Sequence, residues 1–132
     1  MRIIVADGDP RTSSALRMLF ACEPELEIVG ETTSASRLVE LAGDLEPDAI
    51  LLDWEFRGRS DGAFVSYLRN VLPRAHIIAM SSRPESEREA IYAGADAFVS
   101  KAEPASALIA QVKSLVADDQ IGKLARGPAD DR

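Results

Sequence analysis

Two apolar runs in the chain stop abruptly at an acid. Residues 49–52 (Ala-Ile-Leu-Leu) lead into Asp53, and residues 2–6 (Arg-Ile-Ile-Val-Ala) lead into Asp7. A continuous apolar run with β-branched content, closed by turn residues, suits a strand buried on both faces. Strands of that kind present functional groups at the carboxyl end, where the loops begin. Each acid therefore stands at the lip of a sheet, and Asp53 is followed by a polar loop that closes on Gly62. Either carboxylate alone reads equally well as the cap of the next helix. Two strands ending alike point instead to paired carboxylates in one pocket. Such carboxylates repel one another unless a hard cation sits between them.

The elements that must position these acids follow from the pattern along the chain. After Asp7, Pro10 suits the first turn of a helix with Asp9 as its N-cap, and Ala15, Leu16, Leu19 and Phe20 supply one apolar face. Leu26 to Val29 reads as a second strand closed by Gly30, and Ser34 or Ser36 caps a second helix that Gly43, Asp44 and Pro47 stop. A third helix carries Phe64, Val65 and Leu68, and a fourth strand, Ile77 to Met80, runs into Ser81. Pro84 and Glu85 open a fourth helix that ends at Ala93-Gly94; a fifth strand, Ala97 to Ser100, leads to Lys101. Pro104 starts a fifth helix with Leu108, Ile109, Val112, Leu115 and Val116 as its stripe. Alternating strands and helices predict an α/β fold, a doubly wound parallel sheet. The flavodoxin-like strand order 2-1-3-4-5 would place strands one and three side by side and bring Asp7 and Asp53 together. One domain over residues 1–117 and a polar, flexible tail over 118–132 are expected.

Composition agrees with a soluble globule. The chain has 132 residues, 46% hydrophobic and 28% charged, with a net charge of −7 and no Lys/Arg cluster, which argues against a nucleic-acid surface. The single cysteine, Cys22, excludes an internal disulfide framework and suits a reducing compartment. No apolar run is long enough for a membrane span and the N-terminus enters a strand directly, so a cytoplasmic protein is expected.

In this order the residues resemble the receiver domain of two-component response regulators over residues 2–117. The resemblance rests on Asp7 after strand one, Asp53 after strand three, Asp61-Gly62 opening the next helix, Ser81 ending strand four, Ala93-Gly-Ala-Asp96 before strand five, and Phe98 three residues before Lys101. It implies a signalling domain rather than an enzyme. Asp53 would be the phosphoacceptor, Lys101 the cation facing the phosphoryl oxygens, and Ser81 and Phe98 the switch pair. Mg²⁺ would be held by Asp7, Asp53 and the backbone carbonyl of Glu55. The implied partners are a sensor histidine kinase or phosphotransfer protein and a downstream protein. A homodimer through the helix 4–strand 5–helix 5 face is also implied, with neither direct nucleic-acid binding nor a membrane.

The chain departs from that pattern at the second acid expected after strand one, where it has Gly8. Asp9, one residue on, is a doubtful ligand better suited to the helix cap, so weak Mg²⁺ binding is expected. Arg57 replaces the usual loop proline, and Ala102 the proline common after the lysine. A receiver-like domain that acts by binding partners without phosphorylation is therefore the alternative, with Arg57 or Arg59 supplying the cation's charge. Asp7-Gly-Asp9 also imitates the D-x-D of haloacid dehalogenase-type phosphatases. Arg11 and the lack of a later acid pair speak against that reading. Plainer roles are a surface Lys101, a strand-ending Ser81, an ordinary core Phe98 and a structural Trp54.

Overall fold

The computed structural model describes residues 1–55 and 62–126. Five strands, β1 (Arg2–Ala6), β2 (Glu27–Thr32), β3 (Ala49–Asp53), β4 (His76–Ser81) and β5 (Ala97–Ser100), form one parallel sheet in the order β2-β1-β3-β4-β5. Between and after them lie α1 (Pro10–Phe20), α2 (Ala35–Leu45), α3 (Gly62–Val71), α4 (Glu87–Ala93) and α5 (Ala105–Arg126). The order and the alternation are those the sequence predicts. Arg57, Arg59 and Asp61 lie outside the described residues.

Every residue of β3 is buried, as a strand covered on both faces requires. Its alternate side chains enter two separate cores. Ala49 and Leu51 join Ile3, Val5, Ile78 and Val99 beneath α1 and α5, while Ile50 and Leu52 join Ile4, Ile77, Leu38 and Leu68 beneath α2 and α3. Trp54 belongs to the second core and is buried, which gives it the structural role. Burying each of these large aliphatic side chains is worth roughly 1.5–3 kcal/mol. The rigidity of β3 follows from that packing, and β3 is the strand that carries Asp53.

Local chemistry sets the element ends. Asp9 caps α1, its carboxylate accepting from the Arg11 N–H, and Ser34 caps α2 by accepting from the Arg37 N–H. β2 runs through Gly30 rather than stopping there. The register with β1 shifts between Ile3 and Ile4, passing over Val29, and pairing resumes at Gly30, where a Cβ would stand only 3.0 Å from Leu45 Cδ1. Glycine at this position permits a close approach instead of ending a strand. Gly94 closes α4 with φ 119°, the left-handed cap that favours glycine. Two residues on, Asp96 Oδ2 accepts from the Ile77 N–H at 2.8 Å and from Arg69 at 2.5 Å, tying β4 to the α4–β5 turn. Pro84–Ser86 forms a single 3₁₀ turn and α4 proper begins at Glu87.

The polar composition from residue 118 predicts a tail, yet the α5 backbone stays helical to Arg126. Ala, Gln, Lys, Leu and Arg in this stretch are strong helix formers, and one glycine in it costs only about 1 kcal/mol. Polarity alone does not end a helix. Among the described residues, no helix is long and apolar enough to cross a membrane.

Candidate functional site

Strand register carries four polar residues to one edge of the sheet. Ala6 pairs with Leu52, Asp53 with Met80, and Ser81 with Ser100. The residues that end or follow β1, β3, β4 and β5 are Asp7, Asp53, Ser81 and Lys101, and they therefore form a row across the carboxyl ends. Main-chain bonds fix the row: the Trp54 N–H donates to the Met80 carbonyl at 2.6 Å and the Lys101 N–H to the Ser81 carbonyl at 2.7 Å.

Lys101 is the centre of this row. Its ammonium donates to Asp7 Oδ2 at 2.6 Å and stands 3.4 Å from Asp53 Oδ1. The Asp7 side chain is 1% exposed and the Asp53 side chain 12%, so Asp53 is the acid a reagent can reach. The second Asp7 oxygen accepts from the Asp9 N–H at 2.8 Å, and Asp53 Oδ1 accepts from the Glu55 N–H at 3.2 Å. Burial pushes the Asp53 carboxyl up and the Asp7 charge adds to it, while Lys101 pulls the other way. Burial also works against the charge on Lys101. The hydrogen bond to Asp7 and the fields of Asp53 and Asp7 outweigh it and hold the ammonium above the ordinary lysine value. Two carboxylates against one ammonium leave the trio with a surplus negative charge.

The remaining candidates separate clearly. Asp9 turns to Arg11, whose guanidinium lies 3.0 Å from Asp9 Oδ2, and that hydrogen bond holds its carboxyl below the usual range. Ser81 is fully buried, and its hydroxyl donates to both carboxylate oxygens of Glu55, at 3.0 and 2.8 Å. The Ser81 oxygen also accepts from the Arg83 N–H at 3.0 Å. Sequence reasoning credits Glu55 with its backbone carbonyl alone and misses the side chain. No sequence signal marks it: Glu55 lies in the turn that follows β3, where strand alternation no longer says which way a side chain points. Phe98 is half-buried between buried Ala97 and Val99 and packs against the core that holds Trp54.

Among the described residues, no three His, Cys, Asp or Glu side chains are grouped to hold a metal ion. A cation at this edge would rest on Asp7 and Asp53. One or two carboxylates with further oxygens is a set Mg²⁺ accepts, and this donor set therefore fits it. Gly8 stands where the resemblance to receiver domains leads one to expect a further acid. It is exposed, nothing lies within 4 Å of where its Cβ would stand, and its φ is not positive. A Gly8→Asp substitution therefore introduces a carboxylate without strain. It is expected to tighten Mg²⁺ binding about tenfold, since ligand charge sets affinity. Titration followed by Trp54 fluorescence measures this; unchanged affinity would show that position 8 points away from the pocket.

The response regulator receiver domain family model matches residues 3–113. The chain belongs to that family. It is 29% identical over 101 residues to the nitrate/nitrite response regulator protein NarL of Escherichia coli, covering 75% of this chain and 47% of that protein. It is 28% identical over 106 residues to a protein-glutamate methylesterase/protein-glutamine glutaminase of Methanosarcina acetivorans, covering 78% of the chain and 30% of the relative. This receiver thus spans about half or less of the length of these relatives. The crystal structure of a LuxR-family two-component response regulator from Aurantimonas sp. superposes with a TM-score of 0.81 at 22% identity, covering 89% of this chain and 85% of that one. The response regulator domain of Thermotoga maritima CheB gives 0.67 at 24%, covering 76% and 78%. At these identities the structural likeness shows the flavodoxin-like fold alone.

Proposed function

We propose that this receiver is a phosphoacceptor signalling domain, not an enzyme, with Asp53 as the acceptor. The observation that carries the reading is the Asp7–Lys101–Asp53 row. A buried acid anchors the ammonium at 2.6 Å, and the ammonium stands beside the reachable acid at 3.4 Å. The ion pair to a buried acid holds the lysine's charge where the oxygens of a transferring phosphoryl group would gather.

In this reading an Asp53 oxygen attacks phosphorus, an O–P bond forms, and the bond to the leaving group of the phosphodonor breaks. Asp7 does no covalent chemistry; it positions Lys101. Mg²⁺, when bound by Asp7, Asp53 and the Glu55 backbone carbonyl, supplies further positive charge to the phosphoryl oxygens. Ser81 bonds a phosphoryl oxygen, and Phe98 turns inward as Ser81 moves, passing the change to the α4–β5–α5 face and its protein partner. That face is also the candidate homodimer surface. A cleft of about 370 Å³ between α1 and α5 opens beside Lys101, with Ala15, Leu16, Leu19 and Leu108 in its wall. A phosphodonor protein, a sensor kinase or a phosphotransfer protein, would cover this surface. A cytoplasmic location follows from such partners.

Intact-mass measurement after incubation with a small acyl-phosphate donor and Mg²⁺ tests the proposal. One added phosphoryl group is the expected result, together with saturable beryllofluoride binding reported by Trp54. Unchanged mass and a silent titration would favour the second reading, in which the domain acts by protein contact without phosphorylation. Lys101 already seated on Asp7 is the observation that favours it, because the ammonium partly fills the cation's role.

A further inference from the structure

Ser81 is spoken for. A hydroxyl has one proton to donate and two lone pairs. The Ser81 proton goes to the Glu55 carboxylate, and the Arg83 N–H takes a lone pair. The residue is fully buried, so no water competes for that proton. A charge-assisted bond of this kind is roughly twice as strong as a neutral one. Ser81 therefore cannot donate to a phosphoryl oxygen on Asp53 until Glu55 gives it up.

Glu55 is well placed to be driven out. It is only half-buried, while its backbone N–H is tied to Asp53. Three carboxylates, Asp7, Asp53 and Glu55, share this edge with the Lys101 ammonium. A phosphoryl group on Asp53 would add close to two negative charges. The same repulsion that expels the Glu55 carboxylate frees the Ser81 hydroxyl for its new partner.

We propose that the Glu55 carboxylate is a latch on Ser81: it occupies the serine hydroxyl in the resting domain and competes with the phosphoryl group for it. The inference rests on the phosphoacceptor reading above. Glu55 is a positioning residue here, acting through Ser81, and its side chain is distinct from the backbone carbonyl that would face Mg²⁺. The latch sets the affinity of the pocket for a phosphoryl-like ligand and hence the ease with which the domain leaves its resting state. A ligand shifts a two-state equilibrium only by its difference in interaction with the two states, and breaking the Glu55–Ser81 contact is a fixed cost within that difference.

Beryllofluoride titrations at saturating Mg²⁺ on the parent, Glu55→Ala, Glu55→Gln, Ser81→Ala and the Glu55→Ala/Ser81→Ala double variant test this, with thermal melts confirming that each folds. Glu55→Ala is expected to bind beryllofluoride about tenfold tighter, the order of one charge-assisted hydrogen bond. Glu55→Gln, which keeps an acceptor for Ser81 but loses the charge, should gain less. The decisive arm is the double variant, because coupled residues fail to add. The gain from Glu55→Ala should disappear when Ser81 is already alanine. Binding by Glu55→Ala alone, with a silent parent, would also support the latch. Equal affinities for the parent and both Glu55 variants would overturn it while leaving the phosphoacceptor reading intact. A gain that persists undiminished in the Ser81→Ala background would overturn it too, reducing Glu55 to a repulsive charge. No binding by any of the five proteins would overturn the phosphoacceptor reading and the latch with it.

Discussion

An Asp53→Asn variant takes up no phosphoryl group and yet melts at a higher temperature than the parent. The first half follows from chemistry, since a side-chain amide lacks the nucleophilic carboxylate. The second half follows from the charge count at the edge of the sheet. Asp53 is pressed between burial and the Asp7 charge, and Lys101, committed to Asp7 at 2.6 Å, only partly offsets them from 3.4 Å. A carboxyl whose pKa is raised by folding binds its proton more tightly folded than unfolded, so its ionised form works against the fold. Asparagine removes that charge and leaves the Asp7–Lys101 pair in place. A gain of about 1 kcal/mol is expected, within the range for relieving a strained functional site, or roughly 4 °C in Tm. The sign of the pH dependence is fixed as well. The margin over the parent is full at neutral pH and closes as the pH falls through the raised pKa of Asp53, where the parent also becomes neutral. Thermal melts of the two proteins across that range check this. Phosphoryl uptake undiminished in Asp53→Asn would move the acceptor elsewhere, and a lower Tm would mean that Lys101 stabilises Asp53 more than Asp7 and burial oppose it.

The same edge shows why some of the site is legible in a sequence and some is not. Asp7 and Asp53 were readable because each ends an apolar run, and strand order then makes them neighbours without any further information. The pattern places Ser81 and Lys101 at the ends of the next two strands, but only the resemblance to receiver domains marks them as site residues rather than a strand terminator and a surface lysine. Asp9 was readable as a helix cap because Pro10 follows it, and its carboxylate does cap α1. What strand ends do not reveal is how the charges pair. Lys101 reaches back to β1, 94 residues earlier, to find its closer partner in Asp7. That choice depends on depths of a few ångströms, which no periodicity records. Glu55 shows the limit more sharply. Its place in a loop says nothing of whether the side chain faces water or a buried hydroxyl, and it faces Ser81. The end of β2 was misplaced at Gly30 because a glycine that permits close packing reads the same as one that makes a turn.

Lys101→Met separates the two jobs of this lysine, since methionine keeps much of the stem and none of the charge. The expected result is a loss of about 3 kcal/mol, because removing one partner leaves a buried charge uncompensated. Asp7 is the reason for the size of the effect. Its side chain is 1% exposed, and the Asp9 N–H satisfies only one of its two oxygens once the ammonium is gone. For a domain whose total stability is on the order of 5–15 kcal/mol, such a loss brings the urea midpoint down sharply with little change in m. The pH window follows from the raised Lys101 pKa. The contribution is fully present below the ordinary lysine value and is lost only as the pH rises through the higher folded value, so the deficit of Lys101→Met is expected to be constant across neutral pH. A second substitution identifies the cause. In an Asp7→Asn background the buried charge is already gone, and Lys101→Met should then cost about 1 kcal/mol or less, a coupling well above the error of additivity. Equal losses in both backgrounds would place the role of Lys101 in the packing of its stem. In that case the pocket would have no anchored cation, and Lys101 would be held for Asp53 by nothing more than the end of β5.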